Sequence, residues 1–314
     1  MMSYYKLIII SSSFLLAISC RQVLRVESIQ EIKEYSSGSG ISFFNGRIYL
    51  IGDDVNHVLI TDTAFKAVDT IQLDSGLYRI PKNIKPDLES STILRSRKTA
   101  RLLLLGSGSL EPYRIKGWLI NLLNNEKTFL NLDTFYKRVR FNGIKDLNIE
   151  GLAVIPGGII LANRGNKSNP RNHLVFTSGN FWNNQESAEI RIMKIGVNRD
   201  TSSFNGVSGL EYSYRSDCLI LTVSTENTYS TRNDGSIGKS YLWLINNFLS
   251  KRRMAAINPD RIIDLDSLDD RFKGHKIESG CIVSENKNEY QLVLVADDDK
   301  GTSTLFKIRL NKKE

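Results

Sequence analysis

Four glutamates share one local setting in this chain: Leu88-Glu89-Ser90-Ser91, Ile149-Glu150-Gly151-Leu152, Leu210-Glu211-Tyr212-Ser213 and Ile277-Glu278-Ser279-Gly280. Each follows an apolar residue and precedes small or aromatic residues that open a strand pattern, at spacings of 61, 61 and 67 residues. Carboxylates gathered this way have three uses. They can accept backbone N–H groups from a neighbouring unit, hold a hard cation such as calcium through their oxygens, or run acid/base chemistry if burial shifts their pKa values. More polar residues recur one strand later, at Asp53-Asp54, Asn163-Arg164, Thr225-Glu226 and Asp297-Asp298-Asp299. Arg164 is the one cation among them; it suits a bidentate grip on an anion or a pair with a neighbouring glutamate. The run Asp297-Asp298-Asp299-Lys300-Gly301 has the look of a calcium loop but lacks the distal Glu of an EF-hand, and an exposed turn accounts for it as well. With three histidines in all, none beside a Ser or Cys in a recognisable arrangement, a catalytic triad is not indicated.

The elements that position these residues show as internal repetition. After each glutamate comes a turn and then a strongly apolar run, at 102–105, 159–162, 219–223 and 292–296. A third strand follows at 117–120, 173–176, 241–245 and 304–308, and fourth strands fit at 67–73, 127–132, 189–195 and 261–265. An earlier copy lacks the glutamate: Ser39-Gly40-Ile41-Ser42-Phe43-Phe44 leads through Asn45-Gly46, a strong hairpin signal, into 47–51 and 57–61. Asn56-His57 and Asn172-His173 occupy the same place in two copies, so those histidines belong to the repeat. The last copy runs out after its third strand, and residues 22–32, with Val23, Leu24, Val26, Ile29 and Ile32, can supply the missing one. The reading is an all-β, single β-propeller of five four-stranded blades closed by the N-terminal strand; a sixth blade would need strands within 74–85 or 134–146. Because strands in a blade alternate in direction, strand-one starts, strand-two ends and the loops 165–172 and 226–239 share one face. There they frame a polar, largely acidic channel mouth. Asp53, Asn163, Arg164, Glu226 and Asp298 are its candidate ligand-binding residues, and Glu89, Glu150, Glu211 and Glu278 its candidate metal ligands.

The N-terminus reads as a targeting segment. Lys6 precedes an apolar stretch at 7–18 that is too short to span a bilayer. Leu16-Ala17-Ile18-Ser19-Cys20 resembles the lipobox of bacterial lipoproteins, which implies a signal peptide over 1–19, a lipid on Cys20, and a mature propeller from 20 to 314. The resemblance places the protein in the cell envelope, membrane-anchored and facing the periplasm. The formal net charge of +8 is scattered along the sequence, with Lys251-Arg252-Arg253 the one tight cluster, and nucleic acid is not an expected partner in that compartment. Cys218 and Cys281 fall on different strands of neighbouring blades and read as buried free thiols.

The Ile-Glu-Gly-Leu-Ala-Val stretch at 149–154, followed by Gly157-Gly158-Ile159-Ile160-Leu161, and the Ser208-Gly209-Leu210-Glu211-Tyr212 segment resemble the repeat of phytase-like and esterase-like propellers and related bacterial propellers. The resemblance covers the five repeats; its motifs are specific for architecture and weak for activity. It implies calcium on channel carboxylates, and phosphate-ester substrates in some relatives. Relatives usually have six blades where this chain has five. Two functions follow from the sequence. One is an envelope binding module that presents the mouth to a protein, glycan or anionic small molecule. The other is a calcium-dependent ester or phosphoester hydrolase, for which the sequence offers no convincing nucleophile or base.

Overall fold

A computed structural model describes residues 22–196, 204–226, 237–298 and 301–313 of the chain. They form five antiparallel sheets arranged as a five-bladed β-propeller. Blade one is Gly38–Phe44, Arg47–Gly52, His57–Asp62 and Ala67–Gln72; blade two is Leu88–Arg95, Ala100–Gly106, Lys116–Asn121 and Lys127–Asn131. Blade three is Ile149–Ile155, Gly158–Asn163, Asn172–Thr177 and Arg191–Ile195, with the two-residue strand Ala256–Ile257 added in parallel at its outer edge. Blade four is Asn205–Ser213, Cys218–Glu226, Ile237–Asn246 and Arg261–Asp264. Blade five joins both ends of the chain: Lys276–Glu285, Glu289–Asp297 and Ser303–Asn311 are completed by Leu24–Ile32, antiparallel to Ser303–Asn311.

The apolar runs of strand two follow from sandwiching. Each blade packs its two faces against different neighbours, so successive side chains are buried on opposite sides. Leu102 and Leu104 join the cluster between blades one and two, whereas Leu103 and Leu105 join that between blades two and three. Five such clusters fill the five blade interfaces. This is why these strands read as continuous apolar stretches instead of the alternation of a half-exposed sheet. The cysteines divide the same way, Cys218 between blades four and five and Cys281 between blades five and one, both free and buried.

The two segments that could have hidden a sixth blade hold none. Residues 74–85 form a connection with no strand, whose one ladder-type contact is the isolated bridge of Arg79 with Val55. Residues 134–146 contain the helix Asp133–Phe141, which buries Phe135, Tyr136 and Val139 between blades two and three. The Tyr136 hydroxyl donates to the Gly106 carbonyl at 2.7 Å.

Closure of the ring is polar as well as apolar. Ser303 Oγ donates to the Tyr35 carbonyl at 2.7 Å and accepts from the Gly38 amide at 2.9 Å. Leu24 and Val26 are buried beside Phe306 and Ile308. Deleting residues 22–32 leaves Ser303–Asn311 as an unpaired edge and opens this cluster. The deleted protein is expected to aggregate or melt without cooperativity on heating. A monodisperse, cooperatively melting deletion variant in size-exclusion and thermal-melt measurements would refute the closure.

Candidate functional site

The inner strands enter the ring through a repeated irregularity. In all five, the register against strand two skips one residue near the start: Ser39, Glu89, Glu150, Ser208 and Glu278 are the extra residues. A β-bulge leaves its extra residue out of the ladder and re-aims its side chain. The next position is Gly40, Ser90, Gly151, Gly209 and Ser279 in turn, because the five strands crowd round the axis. A Cβ on Gly151 would stand 2.7 Å from Leu210 Cβ, and one on Gly209 would stand 2.8 Å from the Glu278 carbonyl oxygen.

Three of the four sequence-selected glutamates are therefore equivalent and one is not. In blade four the bulge is Ser208, and Glu211 lies three residues further down the strand, opposite Ile220. The apolar-Glu pattern that aligned Leu210-Glu211 with the other copies is a local coincidence; Val207-Ser208-Gly209 is the true counterpart. Glu211 accepts the backbone N–H of Ile282 in blade five, as a blade-fastening carboxylate should, and its electrostatic neighbours are Arg95 and Glu285. Ser208 fastens blades in a different way, donating to the Ile277 carbonyl at 2.7 Å. Ser39 does the same to the Leu88 carbonyl.

A belt of backbone hydrogen bonds fixes much of the mouth. Asp53 N donates to Ser37 O (3.1 Å), Asp87 N to Asp53 O (3.1 Å), Ser107 N to Asp87 O (2.9 Å), Ile149 N to Ser107 O (2.8 Å) and Arg164 N to Asn148 O (2.9 Å). The belt stitches strand-two ends to strand-one starts and so holds their side chains at the axis.

At the first stitch, one oxygen each of Asp53, Asp87 and Glu89 lies within 4.8 Å of the others, the one group of three potential metal ligands among the described residues. The glutamates Glu89, Glu150, Glu211 and Glu278 thus do not form a single ligand set. The chain's own ammonium stands in the acidic group: Lys85 Nζ contacts Asp53 and lies 3.0 Å from Asp87 Oδ1. Arg114 Nη1 donates to Asp87 Oδ2 at 2.7 Å, and Ser107 Oγ does so at 2.5 Å. Burial, reinforced by Asp87, pushes the Asp53 carboxyl up to about 6 against the pull of Lys85. Burial, with Asp87 and Glu150 beside it, raises Glu89 well above the carboxylate range.

The other two bulge glutamates also have cations. Glu150 Oε2 is 3.8 Å from Arg164 Nη1, and its Oε1 accepts from Asn148 Nδ2 at 2.5 Å. Arg164 reaches blade four, donating to Ser224 Oγ at 3.1 Å across Gly206, where a Cβ would stand 2.5 Å from Arg164 Nε. Glu278 Oε1 is 2.9 Å from Lys276 Nζ, and its buried Oε2 has no hydrogen-bond partner. Asp53 Oδ1 and Arg114 Nε are likewise buried and unsatisfied.

The remaining candidates are placed as follows. Asn163 is buried as a clamp, accepting from Asn148 N at 2.7 Å and donating to Arg164 O at 3.0 Å. Asp298 receives Thr302 Oγ1 at 2.7 Å within the turn after strand two of blade five. Glu226 ends strand two of blade four; its side chain, like residues 227–236 of the loop after it, lies outside the described residues. Lys85, Asp87 and Arg114 escaped the sequence reading because they sit in connections of no regular pattern. Lys276, two residues ahead of Glu278, could have been found from that spacing.

Glu211 offers a test of the channel wall. Burial pushes its carboxyl from 4.5 up to about 8. A raised acid contributes stability that is complete below the unfolded value and is lost as pH climbs through the folded one. Wild-type stability should therefore fall relative to Glu211→Gln between about pH 4.5 and pH 8, by on the order of 1–2 kcal/mol for a group that keeps some solvent contact. Denaturant midpoints at stepped pH measure it, and parallel curves for the two proteins would contradict the assignment.

No curated protein matches the sequence. Among solved structures, the chain is similar to a glutaminyl cyclase from Myxococcus xanthus, with 8% identity, a TM-score of 0.51 and coverage of 92% of this chain and 96% of that one. It is similar to the bifunctional GH43-CE protein of Bacteroides eggerthii, with 10% identity and a TM-score of 0.49, over 86% of this chain and 33% of that one. An exo-1,5-alpha-L-arabinanase from a bovine ruminal metagenomic library matches with 9% identity and a TM-score of 0.48, over 91% of this chain and 99% of that one. At 8% identity the match to the glutaminyl cyclase speaks to the fold alone. One family model follows the ring almost from end to end: residues 34–310 match the family of unknown function DUF6929, and the chain belongs to that family.

Proposed function

We propose that this protein is an envelope-anchored lipoprotein whose propeller is a binding module, taking a polar ligand or partner group at the channel mouth. One observation carries the reading. Among the described residues, the least solvent-exposed aspartates, glutamates, lysines and arginines all lie on the mouth face: Asp54, Lys85, Asp87, Arg114, Glu150, Arg164, Asp266 and Glu278. Burying charge is costly, and a fold that needed only to close its ring could use apolar residues there. The mouth offers preorganised groups of both kinds. Asp53 Oδ1 and Glu278 Oε2 are acceptors and Arg114 Nε a donor that are buried without a hydrogen-bond partner, groups that a hydroxyl- or amine-bearing ligand such as a glycan would satisfy on entering the mouth.

A calcium-dependent phytase-like or esterase-like hydrolase is the second reading. The proximity of Asp53, Asp87 and Glu89 favours it; the Lys85 ammonium among them weighs against it, since a divalent ion would have to displace that charge.

Thermal melts of the purified protein against a panel of saccharides, short peptides and calcium separate these readings. A ligand that stabilises the wild type but neither Asp53→Ala nor Glu278→Ala supports mouth binding. One whose effect survives both substitutions places binding elsewhere. Calcium stabilisation lost in Asp53→Asn, with metal found on analysis, would favour the hydrolase instead. Anchoring has its own test: wild type should incorporate labelled fatty acid and Cys20→Ala should not, and an unlabelled wild type removes the lipoprotein reading.

A further inference from the structure

The face opposite the mouth carries exposed cations that no carboxylate matches. Arg47 follows the Asn45-Gly46 turn of blade one, and Arg97 and Lys98 make the corresponding turn of blade two. Arg215 and Arg253 lie in the turns of blade four, and Lys287 in that of blade five. All six are exposed, and none forms an ion pair among the described residues. The rim of the mouth mixes paired cations, Arg79 with Asp54 at 2.7 Å, Lys137 with Asp133 at 2.6 Å, Arg271 with Asp269 at 2.6 Å and Lys273 with Asp270 at 2.6 Å, with the exposed Lys33, Lys145 and Arg171. The sequence scatters these charges, and the fold gathers them into an arc over blades four, five, one and two. The arc stops at blade three, whose turn Pro156-Gly157 and connection 178–190 carry no lysine or arginine.

The chain enters the fold at the centre of that arc. Leu24 pairs with Leu310, at the far end of a strand that starts at the mouth with Ser303, so Leu24 lies on the cationic face in blade five. Cys20 is four residues earlier, within a reach of about 14 Å for extended chain. Exposed apolar side chains stand on the same face: Leu123, Tyr214 and Met254 are 71%, 60% and 52% exposed. Tyrosine and long aliphatic side chains at loop tips suit the headgroup boundary of a bilayer, and unpaired basic residues near an anionic surface are each attracted to it.

We propose that this face docks on anionic phospholipid, with blades four, five, one and two against the bilayer and the channel mouth presented away from the membrane. The orientation rests on the anchoring reading; the lipid affinity of the face does not. Every strand of the ring lies between Leu24 and Asn311, so a lipid-free chain starting at residue 20 with Cys20→Ser contains the whole folding unit. It is tested by co-sedimentation with phosphatidylcholine vesicles made with and without phosphatidylglycerol. Binding is expected only with phosphatidylglycerol, weakening with salt and falling on the order of tenfold to a hundredfold in Arg97→Ala/Lys98→Ala/Arg215→Ala. The mouth-face control Lys33→Ala/Lys145→Ala/Arg171→Ala removes the same charge and should change it little.

Equal binding to both vesicles, or equal losses in the two triple variants, overturns the proposal. So does tighter capture by double-stranded DNA than by the vesicles at matched salt. The two readings fail separately. If the wild type takes up no fatty acid while the lipid-free chain still binds phosphatidylglycerol, anchoring falls and docking stands. If the acylated protein binds both vesicles alike and the lipid-free chain binds neither, docking falls and anchoring stands.

Discussion

The constraint on which the rest of this structure depends is the crowding of five inner strands round one axis. Glycine is required after the bulges of blades three and four because atoms of the next blade, Leu210 Cβ at Gly151 and the Glu278 carbonyl oxygen at Gly209, approach closer than a Cβ allows. The bulge just before it lets a larger, polar residue leave the ladder where the strands diverge at the mouth. Packing and chemistry are therefore set by adjacent residues. Gly209 lets blade four lie against Glu278 of blade five, and Ser208 beside it ties the same two blades. A side chain could not be added at the first position without moving the second.

Much of this was legible. The strand-two runs are apolar because each blade is covered on both faces, and that alone set the blade count once the shortfall after residue 310 was matched with the alternation at 22–32. What misled was the use of one residue type as the repeat marker. The recurrent feature is a backbone irregularity followed by a small residue, and Ser39 and Ser208 satisfy it as well as glutamate does. Glu211 entered the set by resemblance of its neighbours alone. The helix Asp133–Phe141 was missed because two and a half turns give too few repeats of its apolar face, Phe135, Tyr136 and Val139, to stand out from loop. The partners of the glutamates were hidden for a different reason: Lys85 and Arg114 meet Asp87 only through the tertiary stitch between Asp53, Asp87 and Ser107.

Those partners change what the mouth is. The sequence suggests a largely acidic opening in which like charges repel unless a cation intervenes. In the folded chain the cations are supplied from within, Lys85 for the Asp53–Asp87–Glu89 group, Arg164 for Glu150 and Lys276 for Glu278. Breaking one such buried pair strands a charge, whereas replacing both partners by apolar residues is often neutral. Retention of the pairs at one face, beside buried and unpartnered acceptors on Asp53 and Glu278, is what the proposed recognition role would require and what stability alone would not. It also makes a resident divalent ion less necessary, because the field it would supply is already present.

The way the ring closes then couples the two faces. Strand four lies outside strand three in every blade, bordered further out only by Ala256–Ile257 in blade three, and runs toward the mouth, so a chain whose first strand fills that place in blade five must begin on the opposite face. Had the closing strand been an inner or third strand, the N-terminus would have emerged on a different face or at the axis, and a short tether would have held the channel entrance against its attachment surface. With Leu24 on the cationic side, the proposed lipid on Cys20 would keep the turns of blades four, five, one and two nearest its membrane and leave the stitched, charge-lined mouth open to the other side. Closure by an outer N-terminal strand thus completes the last sheet and sets the face, opposite the mouth, at which Leu24 joins the ring.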